Sequence, residues 1–271
     1  MAGKKTKFRP FAFLFLGAAL ALSSCKKDPE TVAEPAPDTG TLNIHFDSRR
    51  SLTEDFVVNK MYLNANQDSV SLSTFKYFIS NVTLVREDGS TYAEPNSYHL
   101  IQAGNSSAKE QFLIHNVPAG NYTKIRFSVG VDAEHNSSTA TQVGDLGADH
   151  DMTWDWNTGY MFVFTMGKYY KAGAANPSPD FMYTIGKNQH YRTVELAFPS
   201  GHELTRIDKA NNPKMHLHAN ILDIFGAHNG TGKVDVKLNP FVAGDPQHNT
   251  VAEKIADNYA SMFRIDHIHA H

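Results

Sequence analysis

The chain has 271 residues, with 25 lysines and arginines against 28 aspartates and glutamates, and a formal net charge of −3. Without residues 1–24, which hold four of the basic residues and no acidic ones, 21 basic residues face 28 acidic ones, a charge of −7. This excess of acid disfavours nucleic acid as a partner, because such binding depends on cations that face phosphates. The single cysteine excludes an intramolecular disulfide.

The N-terminus has the layout of a secretory signal. Basic residues precede an apolar run from Phe11 to Leu22, which is shorter than the roughly 20 residues of a membrane-spanning helix. The run ends in Leu-Ser-Ser-Cys, which resembles a bacterial lipobox. We therefore expect residues 1–24 to be a lipoprotein signal peptide and Cys25 to carry fatty acids such as palmitate, which are enough for stable anchoring. An ordinary signal peptide that happens to contain a cysteine is the alternative.

Residues 25–40 are rich in proline and acidic residues and contain almost nothing that could be buried. Such a composition is typical of a flexible tether, here one that starts at the lipidated Cys25. Residues 41–271 remain, a length that suits one large domain, and large single β-sandwiches reach it. We expect an outer-membrane lipoprotein whose domain faces the periplasm or the cell surface.

Most of this domain shows the period of two that is typical of β-strands. The turn residues between the runs favour an antiparallel β-sandwich. The predicted strands are TLNIHF (41–46), NVTLVRED (81–88), SYHLI (97–101), YTKIRFSVGV (122–131), YMFVFTM (160–166), RTVELAF (192–198), KMHLHANILDIF (214–225) and KVDVKL (233–238).

One segment near the C-terminus has a different period. In VAEKIADNYASMF (251–263), the apolar residues Val251, Ile255, Tyr259 and Met262 form a single stripe at helical spacing. We expect one C-terminal helix there, packed on the sandwich so that the residues from 264 onwards lie beside a strand.

Histidine is the most visible chemistry in the chain, with 14 residues. His216 and His218 lie two apart in a predicted strand, so both imidazoles project from one face, and His267 and His269 repeat that spacing after the helix. Two such pairs brought together would form a site for copper or zinc, with His45 on the first strand as a weaker candidate ligand. A solvated polar face is the alternative for each pair.

The ring nitrogens that do not bind metal would need acceptors. Asp223 and Asp266 are the candidates for this role.

Other chemistry is less well supported by the sequence. Acidic residues in two loops offer oxygen ligands for calcium, but they do not follow the twelve-residue calcium-binding loop, so solvated loop acids are the alternative. We find no nucleophile elbow, zinc-protease helix, phosphate loop or haem-attachment motif, and expect a protein that is not an enzyme. The four loop acids are Asp132, Asp145, Asp149 and Asp151.

Several blocks in sequence order resemble one family. They are FKYFISNVTLVREDGS, YHLI, VPAGNYTKIRFSVGVD, MTWDWNTGYMFVF and IADNYASMFRIDHIHAH. Together they resemble the MbnP-like family of methanobactin-associated copper-binding proteins, from about Leu42 to the C-terminus, in its lipoprotein branch of Bacteroidota. The family is related to the copper-repressible surface proteins of methanotrophs. The lipid anchor and the terminal histidines depart from the methanotroph pattern.

The resemblance implies a β-sandwich that binds copper through histidines and an oxidised tryptophan, a kynurenine. Trp154 and Trp156, the only tryptophans, are the candidates, and burial in the core is the alternative role for at least one of them. The resemblance also implies a di-haem cytochrome c peroxidase-like partner that makes the modification, and a TonB-dependent receptor nearby.

Three classes of function stay open at this stage. The first is a lipid-anchored, extracytoplasmic copper-binding protein for buffering or acquiring copper. The second is a zinc-dependent enzyme, for which the sequence offers no convincing third ligand or general base. The third is a surface-binding sandwich without metal, with Tyr169, Tyr170 and Tyr183 as exposed aromatic residues.

Overall fold

In the computed structural model, strands make up most of the regular structure. The structure describes residues 38–51, 53–104, 109–139, 143–147, 150–154, 158–170, 179–227 and 231–269. The predicted signal peptide, Cys25, the tether up to residue 37, Asp149 and Trp156 lie outside these ranges. None of the helices in these ranges has the length and apolar character needed to cross a membrane.

Alternation of inward apolar and outward polar side chains produces fourteen strands within the described ranges. They are β1 (Thr39–Arg49), β2 (Met61–Leu63), β3 (Ser69–Arg86), β4 (Thr91–Ala93), β5 (Tyr98–Gln102), β6 (Gln111–Pro118), β7 (Gly120–Val129), β8 (Met161–Tyr170), β9 (Asp180–Gly186), β10 (Arg192–Ala197), β11 (Thr205–Ile207), β12 (Lys214–Asn220), β13 (Phe241–Ala243) and β14 (Phe263–His269). The α-helices are α1 (Ala133–Asn136) and α2 (Asn249–Ala260), and short 3-10 helices span Asn188–His190 and Ile221–Phe225.

The strands form two sheets, which confirms the predicted sandwich class. The smaller sheet has four strands in the order β14-β12-β1-β6. The larger has ten, in the order β10-β7-β3-β8-β9-β13, with β11 beside β7 and with β2, β4 and β5 beside β3. Most pairs are antiparallel as expected, but β1 pairs with β12, and β9 with β13, in parallel.

Aromatic side chains from both sheets meet in the core. Phe46 of β1 is fully buried, and its ring centroid lies 6.1 Å from those of Tyr77 on β3 and Phe127 on β7, in edge-to-face contacts. Such pairs add about 0.5–1.5 kcal/mol each beyond the area they bury. Because side chains alternate along a strand, the inward position of Phe46 points its neighbours His45 and Asp47 to the outer face of the small sheet.

The C-terminal helix forms where its apolar stripe predicts, but it begins and ends earlier. We expected residues 251–263, and α2 spans Asn249–Ala260. Ile255 and Tyr259 are fully buried, and the Tyr259 hydroxyl donates to the backbone oxygen of His190. The chain then turns and enters β14 at Phe263, which pairs antiparallel with β12. The terminal segment therefore lies beside a strand, as expected.

Three details of the sequence-based description are wrong. The predicted strand 214–225 ends at Asn220, because Ile221–Phe225 forms a 3-10 helix. Residues 233–238 do not form a strand. Residues 236–238 form a turn instead, because the Asp235 side chain accepts from the backbone N–H groups of Lys237 and Leu238. Tyr169 and Tyr183 are buried instead of exposed, at 6% and 0% exposure, since both point into the core from β8 and β9. This burial removes most of the proposed aromatic binding surface.

Candidate metal centre

Strand register places three histidines in one row on the outer face of the small sheet. His45 on β1 is paired with His216 on β12, and His216 is paired with His267 on β14. His269, two residues further along β14, is paired with Lys214. β1 is the first strand of the domain, whereas β12 and β14 lie near its C-terminal end, so the row exists only in the folded protein.

Three of these imidazoles converge. His216, His267 and His269 each offer a ring nitrogen, and the three nitrogens lie within 4.8 Å of one another. The Nε2 atoms of His267 and His269 are 2.9 Å apart. The His216 ring stacks on that of His267 at a centroid distance of 4.6 Å and meets that of His269 at 5.4 Å.

Asp47 fixes the orientation of the His216 ring. Its Oδ2 lies 2.8 Å from Nδ1 of His216, and its Oδ1 lies 2.9 Å from Nδ1 of His45. Since a carboxylate only accepts, Nδ1 of His216 donates to it, and Nε2 is left with a lone pair for a metal. His45, Asp47 and His216 also form a potential ligand group of their own, with one donor atom from each within 4.8 Å.

Asp266 accepts a hydrogen bond from His267 in the way that Asp47 does from His216. Its Oδ2 lies 2.7 Å from Nδ1 of His267, which again leaves Nε2 for a metal. Of the two acceptors expected from the sequence, Asp266 is therefore in contact with a candidate ligand. The other, Asp223, accepts from Asn220 after the end of β12.

The pKa values suit cation binding at neutral pH. Burial raises the pKa of Asp47, but its contacts with His45 and His216 outweigh that effect and hold it well below its usual range. Burial lowers the pKa of His216, against the opposing effect of Asp47. Asp47 is therefore ionised and His216 neutral, the states in which a carboxylate orients an imidazole and the imidazole binds a metal.

The structure places His218 beside this group instead of within it. The Arg264 guanidinium donates to Nδ1 of His218 at 2.6 Å, and Nε2 lies 3.4 Å from Asp266. The cause is a register shift between His216 and Leu217, where β12 meets β14, which brings Arg264 opposite His218. Burial lowers the pKa of His218, so its ring is neutral, but the adjacent cation opposes a metal ion there.

A second group lies at α1, where Asp132, Glu134 and His135 also offer three donor atoms within 4.8 Å. Asp132 accepts from the Tyr98 hydroxyl, and its Oδ1 lies 3.0 Å from Nδ1 of His135. Burial raises the pKa of Asp132, but the hydrogen bonds from Tyr98 and His135 lower it to about 2. The sequence pointed to Asp132 only as a loop acid, and the spacing Asp-x-x-His across one helical turn is the signal that would have added His135.

Of the predicted loop acids that the structure describes, Asp132, Asp145 and Asp151, only Asp132 belongs to a group of potential metal ligands. Asp145 accepts from the backbone N–H of Leu100, away from the group at α1. Asp151 stands in a left-handed backbone conformation (φ 53°). Calcium binding by these loops stays a prediction.

Trp154 has the environment of a core residue. It is 7% exposed, and its ring covers Gly186 at the end of β9 so closely that a Cβ atom there would overlap it. The Lys187 ammonium lies 5.6 Å from the ring centroid. Trp154 therefore packs at the large sheet, whereas the histidine row lies on the small sheet.

The three-histidine group fits a copper or zinc ion. Two imidazole nitrogens 2.9 Å apart repel unless one donates a proton or a cation lies between them. With metal–nitrogen bonds of about 2.0 Å, this separation corresponds to an angle of about 90° at the metal, so small side-chain movements would reach tetrahedral geometry. Such an ion would be held by His216, His267 and His269.

Comparisons with known proteins relate the chain to one family. The model of the MbnP family matches residues 39–246, a region that includes His45, Asp47 and His216 and ends before α2 and β14. MbnP from Methylosinus trichosporium is a similar solved structure, with a TM-score of 0.49, 13% sequence identity, and coverage of 86% of this chain and 99% of that one. No curated protein matches the chain. Because the family model covers most of the chain, the chain belongs to the MbnP family.

Proposed function

We propose that this protein binds copper outside the cytoplasm, and that it buffers copper or helps to acquire it instead of catalysing a reaction. The observation that carries the proposal is the convergence of His216, His267 and His269, with Asp47 accepting from Nδ1 of His216 and Asp266 from Nδ1 of His267. Membership of a family associated with copper supports the same metal.

Copper is favoured over harder ions by the donor set. Imidazole nitrogens suit copper and zinc, whereas calcium and magnesium require oxygen ligands. Among divalent first-row metals, copper binds a given set of nitrogen ligands most tightly. His269 is exposed and the His267 side chain is 41% exposed on the edge strand β14, which is consistent with a site that takes up and releases its ion.

The same three imidazoles also match catalytic zinc sites, which keep one position open for water. A zinc hydrolase would further need a general base close to that water. Asp47 and Asp266 already accept from ligand histidines, so neither is available for this role. We therefore retain zinc as a competing metal in the experiments and not as the proposed function.

The proposal includes a lipid anchor at Cys25 and an outer-membrane location. The lipobox-like sequence and the acidic, proline-rich tether support it. The protein would then hold its copper at the membrane surface, within reach of a TonB-dependent receptor as a partner.

We also propose that Trp156 is the tryptophan that a di-haem peroxidase-like partner oxidises to kynurenine. Trp154 is buried against Gly186, which favours a structural role for that residue. Peptide mass spectrometry of the protein from its native source would test this. Kynurenine at residue 154 with an unmodified Trp156 would contradict it.

The main experiment measures the metal content of three proteins, the original mature chain and two double variants. The mature chain without a histidine tag, from native-type and variant genes, is loaded with Cu(I), Cu(II) or Zn(II), dialysed against a weak chelator and assayed for metal per chain. The double variant His267→Ala, His269→Ala should stay folded and lose most of its copper. The control is His99→Ala, His248→Ala, which also removes two imidazoles, each hydrogen-bonded to a carboxylate elsewhere. It should keep its copper.

The outcomes separate the alternatives. Unchanged copper content and affinity in the terminal double variant would show that the β14 histidines are a solvated edge. Tighter retention of zinc than of copper, together with hydrolytic activity that depends on zinc, would favour the enzyme.

A further inference from the structure

We propose that Met166 and Met182 form a second metal site, a pair of thioethers for a soft monovalent ion such as Cu(I) or Ag(I). It lies on the outer face of the large sheet, whereas the histidine site lies on the small sheet. The proposal does not depend on the histidine site, because a different set of residues carries it.

Strand register brings the two methionines face to face. Met166 of β8 and Met182 of β9 are direct partners in the antiparallel pair. Directly opposed residues have Cβ atoms about 4.5–5.5 Å apart, and their side chains project from the same face. Each methionine has three rotatable bonds beyond Cα, so two sulfur atoms that start this close can meet at one ion.

Both side chains are accessible to an ion from solution. Met166 is 37% exposed and Met182 is 40% exposed. They line a surface cavity of about 270 Å³ together with Phe241, which is paired with Met182 on the neighbouring strand β13. Phe241 is 57% exposed, and its ring can add a cation–π contact to an ion held by the sulfurs.

The charges next to the pair do not oppose a cation. Lys168 and Asp180 are the next outward pair along the same two strands, and they form a salt bridge at 2.6 Å. The ammonium is thus neutralised locally, and the methionines themselves carry no charge.

Thioether chemistry determines which ions such a site would take. Sulfur ligands are soft and select Cu(I), whereas calcium and magnesium prefer oxygen. Thioethers do not titrate, so protons do not compete for the site in the range where imidazoles become protonated, near pH 6.5. The methionine pair would therefore retain Cu(I) or Ag(I) at pH 5, since acid does not change the charge of a thioether.

The experiment uses Ag(I) as a redox-inert probe. The mature chain, labelled with ¹³C at the methionine methyl groups, is titrated with Ag(I) in chloride-free buffer at pH 5. The methyl resonances of Met166 and Met182 should shift together and saturate with one equivalent of bound ion. Zn(II) should not move them. Met61, exposed on β2 opposite Ser71, provides the control resonance and should also remain in place.

A matched pair of variants tests the stoichiometry. Leucine is close to methionine in volume, so Met166→Leu, Met182→Leu should fold normally and bind one equivalent of Ag(I) less at pH 5. Met61→Leu should bind the same amount as the original chain. Equal stoichiometry in all three proteins, or shifts that Zn(II) reproduces, would overturn the proposal. If the methyl resonances of Met166 and Met182 do not respond to Ag(I), the two methionines form only an apolar surface, and the proposal is equally overturned.

Discussion

Replacement of Asp47 by alanine should weaken copper binding even though Asp47 need not touch the metal. Its Oδ2 accepts from Nδ1 of His216 at 2.8 Å and its Oδ1 lies 2.9 Å from Nδ1 of His45, so this carboxylate holds the orientation of the His216 ring. Without it, the His216 ring can rotate, and either nitrogen can carry the proton. Loss of such a partner typically costs 10–100-fold in metal affinity. This corresponds to about 1.4–2.7 kcal/mol of binding free energy.

The assay is a competition titration with a chromophoric Cu(I) chelator under anaerobic conditions. Asp47→Asn separates charge from hydrogen bonding, because the amide keeps one acceptor oxygen, and its loss of affinity should be smaller than that of Asp47→Ala. Asp245→Ala is the matched control, since Asp245 contacts Nδ1 of His248 at the same 2.8 Å but at the start of α2. Equal affinity in Asp47→Ala and the original chain would refute the reasoning, provided that circular dichroism shows both to be folded.

Three further predictions concern anchoring and stability. Cys25→Ser should be exported but take up no labelled fatty acid, and equal labelling of both proteins would contradict the lipobox. Ile255→Ala should lower the free energy of unfolding by about 2–5 kcal/mol in urea titrations, because Ile255 is fully buried; Leu238→Ala, at a residue that is 79% exposed, should change it by about 0.5 kcal/mol or less. Hydrogen bonds from Arg206 and from the turn to Asn211 lower the pKa of Asp208 to about 2. The contribution of Asp208 to the free energy of unfolding is therefore complete above its unfolded pKa of about 3.9 and disappears towards pH 2. The stability difference between the original chain and Asp208→Asn should therefore be constant from pH 7 to 5 and shrink below pH 4, and a constant difference down to pH 2 would contradict this.

Much of the candidate centre could be predicted from local sequence. Alternation in TLNIHF and KMHLHANI predicted that His45 and His216 lie on the outer face of their strands, because their neighbours in sequence are apolar. Both side chains alternate with buried neighbours in the structure, as expected. The helical stripe with Ile255 and Tyr259 predicted the packed helix that directs the chain into β14.

Long-range pairing could not be predicted in the same way. The parallel contact of β1 with β12 joins residues about 170 positions apart, and no local pattern specifies it. The register shift next to His216 brings Arg264 opposite His218, so the two histidines of β12 have different partners although both keep the period of two. The Val234 and Val236 alternation resembled a strand because both side chains are buried, whereas the Asp235 side chain closes a turn there.

The most direct test of the histidine site is a crystal structure of the mature chain loaded with one equivalent of copper at neutral pH, with anomalous data collected at the copper absorption edge. We predict one dominant anomalous peak about 2.0–2.1 Å from the Nε2 atoms of His216, His267 and His269, with Asp47 and Asp266 still contacting the other ring nitrogens of His216 and His267. A dominant peak at Asp132 and His135, or no ordered copper near β14, would contradict the assignment of the site.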